Sequence, residues 1–414
     1  MFVSSALVLL VAACGSGDDN SAVTVAGQTT SDGSTTESSP TTEPTTAPTT
    51  APPTAGPMEY TVLVDGRVDE FNGAFFAYFP DTITVHPGDT IIYKSVFSGE
   101  PHSVTFGSVV ETAIAEFEKL TPEQLQSEGP PPPELEAAFA AIPAMLPEGP
   151  GDANQNSVNP CFVGEGEPVP TDVTSQCPVT EPSPFTGTET FYNSGFLPDG
   201  EIFRLEIAED IAPGTYRALC TLHFTEMISE VTVVPADEPV LTPDEVAALA
   251  QEQLDEFADQ MLPAVEGAKA AATPGNVLAG LGSEDVPQVL GVDFIPADST
   301  ATAGETVTWS IIGPHTVSFN PPESARTVLV KGEDDGYHLV EEALAPAGFE
   351  PPPPSEGEGE GPPPPVDGGT WDGTGFFSSG LMFGGDFTLA ITTPGTYDYI
   401  CLIHPEMQGT VTIE

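Results

Sequence analysis

Two short segments of the chain combine side chains that bind soft metal ions. An earlier Pro-His pair in the same half of the chain supplies a second imidazole, from His102 or His315. Each half therefore offers one thiolate, two imidazoles and one thioether. The two segments are Cys220-Thr-Leu-His223-Phe-Thr-Glu-Met227 and Cys401-Leu-Ile-His404-Pro-Glu-Met407.

This combination of ligands favours copper over zinc. Thiolate and thioether hold soft Cu(I), imidazole binds both copper oxidation states, and a His2Cys site with a weak axial methionine is typical of electron-transfer copper. Structural zinc sites close a tetrahedron of cysteine and histidine, in which a neutral thioether is a poor ligand. A lone Cys-x-x-His pair is common, and a buried cysteine usually acts as a small apolar residue. The complete set occurs twice in a chain with 6 histidines, which favours the metal interpretation.

The arrangement resembles the cupredoxin family of plastocyanin, amicyanin and azurin. The resemblance covers most of residues 58–236 and 286–414 outside their insertions, and it rests on a histidine at a strand start and a C-terminal Cys-x-x-His loop. It implies all-β Greek-key β-sandwiches, two type 1 copper ions as cofactors, and one-electron transfer that leaves through an exposed loop histidine, His223 or His404. The implied ligands are His102, Cys220, His223 and Met227 in the first copy and His315, Cys401, His404 and Met407 in the second.

The two ligand loops differ in length. Three residues separate His223 from Met227, whereas the second loop has the compact Cys-x2-His-x2-Met spacing that resembles amicyanin. One added residue can lengthen or redirect a weak axial contact, and Glu226 stands beside Met227 as an alternative oxygen ligand. The sequence therefore leaves the axial ligand of the first site open.

The remaining three cysteines are predicted to have other roles. Residues 2–13 form an apolar run, too short to span a bilayer, that ends in small residues before Cys14 and indicates export. This end resembles a bacterial lipobox, which implies that Cys14 is lipidated; an ordinary cleaved secretory peptide is the alternative. Cys161 and Cys177 lie together in one insertion of an exported protein, so we predict a disulfide, worth on the order of 3 kcal/mol.

Two copies of one module are needed to position these ligands. Short strands rich in Val, Ile, Thr and Tyr, separated by Gly and Pro turns, recur in the same order and suggest antiparallel sandwiches. Segments such as Pro213-Gly-Thr-Tyr and Pro394-Gly-Thr-Tyr match between the halves. The sequence predicts an all-β protein with one module at 58–236 and a second at 286–414.

The rest of the chain is predicted to connect and decorate these modules. Residues 15–57, rich in Ser, Thr and Pro, are expected to form a disordered tether. A helical linker is expected over 237–285, beginning with a capping box at Thr242 and stopping at Pro263, with its apolar stripe docked on a sandwich. Insertions at about 108–190 and 322–372 are predicted to be helical or irregular, and no chemistry is assigned to them.

The charge of the chain limits its partners. With 8 Lys and Arg against 63 Asp and Glu, the formal net charge is −55. No basic surface exists to bind nucleic acid or anionic lipid headgroups, so membrane attachment is expected only through the lipid anchor. The negative surface keeps the protein soluble, or it steers a basic redox protein partner, in which case association depends strongly on salt.

The sequence thus favours an extracytoplasmic electron carrier of the cell envelope, lipid-anchored or secreted. Copper sequestration or delivery without a redox role is the alternative, and a two-domain copper oxidoreductase is a weaker one. An enzyme is disfavoured because a type 2 centre needs about three further histidines and a trinuclear cluster about eight. Only His86 and His338 remain beyond the proposed ligands, and both are expected to face solvent.

Overall fold

The computed structural model describes residues 56–121, 124, 131–147, 151–173, 175–351 and 365–414. Cys14, nearly all of the predicted tether and most of the proline runs of the second insertion lie outside these residues. Among the described residues, strands predominate. In chain order they are β1 (Glu59–Val64), β2 (Gly73–Phe75), β3 (Tyr78–Phe79), β4 (Thr82–Val85), β5 (Thr90–Ser95), β6 (Thr105–Phe106), β7 (Cys161–Val163), β8 (Phe191–Asn193), β9 (Ile202–Glu206), β10 (Gly214–Cys220), β11 (Phe224–Val233), β12 (Asn276–Leu281), β13 (Val289–Ile295), β14 (Asp298–Ala301), β15 (Thr306–His315), β16 (Ser318–Phe319), β17 (Leu329–Lys331), β18 (Tyr337–Leu339), β19 (Val366–Trp371), β20 (Phe377–Ser378), β21 (Met382–Ile391), β22 (Gly395–Ile400) and β23 (Gln408–Ile413).

The first half of the chain forms two facing sheets. Their strand orders are β3-β1-β5-β9 and β4-β11-β10-β6-β8-β7. β1 alternates between more exposed and buried residues, as expected for a strand with one face on a core. The sequence suggests an antiparallel sandwich, and the sheets are in fact mixed, because β1 pairs with β5 and β4 with β11 in parallel. β1 and β5 are not joined by a hairpin. The long connection between them includes β4, which belongs to the facing sheet, and such a crossover allows parallel pairing.

The second half repeats this architecture. Its sheets have the orders β19-β21-β15-β12-β13-β2 and β14-β23-β22-β16-β20, and β17 and β18 form a separate small hairpin. Aromatic side chains fill the space between the sheets, with Trp309 against Phe319, Phe387 and Tyr399. The all-β fold class predicted from the sequence is confirmed.

The two halves of the chain also contact each other directly through a shared sheet and a shared core. β2, from the first half, pairs antiparallel with β13 and so adds a strand to a sheet of the second half. Asn72 beside it hydrogen-bonds Asp293, and its side-chain amide lies 2.7 Å from the carboxylate. Buried apolar residues of both halves form one continuous core. This close contact brings together the ends of the two sandwiches that carry the predicted ligand residues.

A long helix, α4, connects the halves and covers part of their junction. The helices are α1 (Ser108–Phe117), α2 (Pro133–Phe139), α3 (Gln155–Val158), α4 (Pro243–Ala271) and α5 (Glu341–Leu344), with a 3-10 turn at Glu323–Ala325. α4 begins with the expected capping box between Thr242 and Glu245. Its buried stripe, which includes Leu254 and Met261, packs against Phe75 and Phe79. No helix among the described residues is both long and apolar enough to cross a membrane.

Two details of the predicted linker are wrong. α4 does not stop at Pro263 but continues to Ala271, because Met261 and Val265 on either side are buried in the apolar cluster. That packing offsets the roughly 3 kcal/mol cost of an interior proline. The segment up to 285 is not all helical either, since Pro274 and Gly275, which has φ +74°, lead into β12. β12 pairs with β15, so residues assigned to the linker belong to the second sandwich.

The insertions pack on the sandwiches rather than extending from them. α1 and α2 cover an apolar cluster beneath β10, and β7 extends a sheet of the first half. Cys161, in β7, forms a disulfide with Cys177, 16 residues later. The insertions of the two halves touch each other, because His338 Nδ1 lies 2.5 Å from a carboxylate oxygen of Asp152.

Candidate metal centres

The first candidate site forms where β10 ends. Cys220 is the last residue of β10, His223 lies in the turn to β11, and His102 precedes β6, which pairs with β10. His102 Nδ1 lies 3.2 Å from His223 Nδ1 and 3.9 Å from Cys220 Sγ. The three ligand atoms lie within 4.8 Å of one another, and all three residues are buried. The fold thus places one sulfur and two ring nitrogens around one point.

The second candidate site repeats this geometry between β15 and the loop after β22. His315 Nδ1 lies 3.1 Å from His404 Nδ1, and Cys401 Sγ lies 3.8 Å from His315 Nδ1 and 3.5 Å from His404 Nδ1. These three residues are also buried, with their ligand atoms within 4.8 Å of one another. The structure therefore brings together His, Cys and His in each half.

Each sulfur lies in surroundings that favour a thiolate. The backbone amides of Ser103 and Leu222 each donate to Cys220 Sγ at 3.4 Å, and Thr316 N donates to Cys401 Sγ at 3.3 Å. Burial raises the pKa of the Cys220 thiol, but His223 and His102 beside it hold that pKa well below its usual value. Cys401 shows the same balance of opposing effects on its pKa. A thiolate is the form that binds metal.

Both candidate axial methionines are fully buried at these loops. Met407 directly precedes β23, and its backbone nitrogen donates to His404 O at 2.9 Å. In the longer first loop, Phe224 takes up a φ of +46° and Met227 lies within β11. Glu226, the alternative oxygen ligand, is exposed where Met227 is buried, since adjacent strand residues point to opposite faces. The structure thus brings Met227, and not Glu226, to the buried side of the loop.

The histidines that follow a proline, His102 before β6 and His315 at the end of β15, differ in what holds their outer nitrogen. His102 Nε2 lies 3.1 Å from Asp65 Oδ2, a fully buried carboxylate. Burial lowers the pKa of His102, but the contacts with Asp65 and Cys220 together outweigh burial and raise the pKa to about 10. His315 Nε2 is buried without a hydrogen-bond partner among the described residues, and burial lowers the pKa of His315. The first site therefore has an anchored histidine that the second lacks.

The two loop histidines both point at one carboxylate. Glu100 Oε1 lies 3.0 Å from His404 Nε2, and Glu100 Oε2 lies 4.0 Å from His223 Nε2. His404 is 0% and His223 8% exposed, so the expectation of an exposed loop histidine is wrong. The reason is that the two halves meet at these loops, and Phe76 also stacks on His223 with ring centroids 4.4 Å apart.

Burial raises the pKa of Glu100, but the hydrogen bond to His404 and the charges of the neighbouring histidines together outweigh burial and bring this pKa down to about 2. The carboxylate is therefore ionised at neutral pH. A negative charge thus lies between the outer edges of the two loop histidines.

Other predicted residues lie away from these centres. His86 Nε2 is 2.9 Å from the carbonyl of Glu238, and His338 contacts Asp152 and Asp334. Both histidines are partly exposed, and neither belongs to the two groups of candidate ligands. Sequence reasoning missed Asp65 and Glu100. Glu100 carried a signal, because it stands two residues before His102 where the second copy has Gly313, whereas Asp65 is 37 residues from His102 and carried none.

No protein-family model and no curated protein matches this chain. It is similar to the purple cupredoxin from Nitrosopumilus maritimus, at 16% identity over 34% of this chain and 98% of that one, with a TM-score of 0.17.

Two further solved structures are similar to parts of the chain. The plastocyanin of Dryopteris crassirhizoma is 20% identical over 34% of this chain and 99% of its own, with a TM-score of 0.16. The auracyanin of Roseiflexus castenholzii is 16% identical over 44% of this chain and 100% of its own, with a TM-score of 0.20. The similar proteins are cupredoxins. Each of these three matches spans less than half of this chain.

The residues present fit a copper ion at each site. In each half a thiolate and two imidazole Nδ1 atoms converge, and a thioether is buried at the same loop. The two imidazole Nδ1 atoms, 3.1 or 3.2 Å apart, and the thiolate beside them are close enough to bind one shared metal ion. Soft sulfur with imidazole nitrogen is the donor chemistry that copper prefers.

Proposed function

We propose that the protein is an extracytoplasmic electron carrier with two type 1 copper centres. The observation that carries the proposal is the convergence of a buried His-Cys-His group in each half of the chain, with a buried methionine three or four residues after the second histidine. The ligands are His102, Cys220, His223 and Met227 at the first centre and His315, Cys401, His404 and Met407 at the second.

Copper would supply the change between Cu(I) and Cu(II), and the protein supplies a fixed, dry environment for it. Asp65 and Glu100 hold the outer nitrogens of His102 and His404, which fixes the orientation of each ring. Backbone amides hold each cysteine sulfur in place. Ligands held in this way rearrange little when the charge of the site changes, and that is what rapid electron transfer requires.

The buried ligands support electron transfer rather than catalysis. At both sites the described ligand residues are at most 8% exposed, so a substrate has little access. His86 and His338 lie on other partners and do not extend either group of ligands. We therefore propose that the protein is not an enzyme.

Redox cycling separates electron transfer from copper sequestration. We expect Cys401→Ser to leave only the first centre and Cys220→Ser to leave only the second. The remaining centre of each variant should undergo reversible one-electron reduction in a spectroelectrochemical titration. Bound copper that cannot be cycled at either centre would favour sequestration. Loss of colour in both single variants, with colour in the unmodified chain, would mean that the sites are not separate.

Cell-envelope location and partner are further parts of the proposal. The Cys161–Cys177 disulfide supports an oxidising compartment, and lipidation of Cys14 would anchor the protein. The charge of −55 favours a basic redox partner. Stopped-flow electron transfer to a basic cytochrome should slow steeply from about 0.01 to 0.5 M salt, and a flat rate would remove electrostatic steering.

A further inference from the structure

We propose that Glu100 couples the two metal centres into one buried pair. This inference rests on the proposed function, because it takes both groups of residues as metal ligands. Glu100 Oε1 lies 3.0 Å from His404 Nε2, and Oε2 lies 4.0 Å from His223 Nε2. The Nδ1 atom of each ring faces its own site. One carboxylate therefore joins the outer edges of two ligands that belong to different centres.

The backbone before Glu100 is built for this contact. Gly99 has φ +109°, and a Cβ atom there would lie 2.2 Å from Ile403 O and 2.9 Å from His404 Cα. Only glycine allows the first half to approach the second ligand loop so closely. Arg67 adds a second tie, because its guanidinium lies 3.1 Å from Glu406 in that loop.

The two copies differ at this position. Glu100-Pro101-His102 of the first copy corresponds to Gly313-Pro314-His315 of the second. Gly313 has φ +88°, a conformation that a glutamate adopts only with strain, and a Cβ atom there would lie 2.9 Å from the side chain of Leu290. The first half alone therefore supplies a carboxylate at this position, and both loop histidines, His223 and His404, lie within 4.0 Å of it.

A shared buried charge acts on both centres. Glu100 is 7% exposed, and a charge out of water interacts strongly with its neighbours. A carboxylate on the outer nitrogen of a ligand histidine orients the ring and makes it a stronger ligand for the more positive metal. With copper bound at both centres, the same contacts would form a route along which one centre would lose an electron and the other would gain it, while Glu100 would keep its charge.

The test uses the full chain with one centre removed at a time. Glu100→Gln is made in the Cys401→Ser chain and in the Cys220→Ser chain, and the midpoint potential is measured by spectroelectrochemistry. We expect the Cu(I)/Cu(II) ratio at a fixed potential to rise at both centres. The rise should be about tenfold at the second, or about 59 mV for one electron. It should be about threefold at the first, where the contact is longer.

A matched control and a second variant separate charge from contact. Glu406→Gln removes the same charge two residues from His404, but Glu406 is 49% exposed, so the change should stay under about twofold. Glu100→Asp keeps the charge and withdraws it by one methylene group. We expect its Cu(I)/Cu(II) ratio at a fixed potential to stay within about threefold of the ratio in the parent chain. The Nε2 proton of His404 should exchange faster with solvent, as measured by NMR.

The outcomes are distinct. A shift at only one centre, or shifts no larger than those of Glu406→Gln, would overturn the coupling. If Glu100→Gln does not fold, the Glu100→Asp chain decides: unchanged exchange of the His404 Nε2 proton would contradict the contact. If neither single-centre chain shows thiolate-to-copper absorption, the proposed function fails instead.

Discussion

Replacing Asp65 by Asn should change the first centre and leave the second unaltered. Asp65 Oδ2 accepts hydrogen bonds from His102 Nε2 at 3.1 Å and from Ser98 Oγ at 2.5 Å, while Oδ1 accepts from the backbone amides of Gly66 and Phe75. Asn can keep the bonds to the two amides with its oxygen. It then presents an NH2 group, without charge, to His102 and Ser98.

The expected size follows from these contacts. Loss of an outer-shell carboxylate typically costs about 10- to 100-fold in metal affinity, or about 1.4 to 2.7 kcal/mol. The loss is larger for Cu(II) than for Cu(I), because the extra positive charge interacts more with the carboxylate. The midpoint potential of the first centre should therefore rise, by about 59 mV for each tenfold difference.

The assay is spectroelectrochemistry of Asp65→Asn in the Cys401→Ser chain, which isolates the first centre, and in the Cys220→Ser chain, which isolates the second. Asp89→Asn is the control, because Asp89 is also buried and accepts from the amides of Met58 and His86 but touches no proposed ligand. An equal shift at the second centre, or a shift no larger than that of Asp89→Asn, would refute the reasoning.

Three further predictions concern stability and the junction of the halves. Cys161→Ser with Cys177→Ser frees a loop closed over 16 residues, so the free energy of unfolding should fall by about 3 kcal/mol in denaturant titration, and an unchanged midpoint would contradict this. Gly99→Ala forces a Cβ to within 2.2 Å of Ile403 O, so unfolding should become easier by about 1 to 3 kcal/mol and copper affinity should fall at the second centre; Gly214→Ala, with open space around it, is the control. The carboxylates of Asp152 and Asp334 raise the pKa of His338, so this contact stabilises the fold below the usual histidine pKa and is lost as pH rises through the raised value; His338→Gln should flatten that part of the stability–pH curve, and an identical curve would exclude the contact.

The sequence predicted the fold class because the strand pattern and the repeated segments are local signals. Alternation along β1 and the matched Pro-Gly-Thr-Tyr turns needed no knowledge of the tertiary structure. The structure also brings together the histidine and cysteine residues that the sequence indicates as ligands. Copper binding by these residues is still a prediction. Their types and spacing were unusual enough to stand out in a chain with few histidines.

What the sequence did not predict depends on how the halves meet. Burial of His223 and His404 follows from the approach of Gly99 and Glu100 to the second loop, and no local pattern marks such a contact. The exchange of β2 into the second sheet is equally non-local. The proline at 263 predicts a helix end because it disfavours a helix interior, whereas the burial of Met261 and Val265 extends the helix to Ala271.

Copper titration of the metal-free protein tests the central claim most directly. The account predicts intense thiolate-to-copper absorption that grows in proportion to added Cu(II) and saturates at two equivalents, and at one equivalent in Cys220→Ser and in Cys401→Ser. A protein that stays colourless with Cu(II) in excess, or one whose colour survives when both cysteines are replaced, would contradict it.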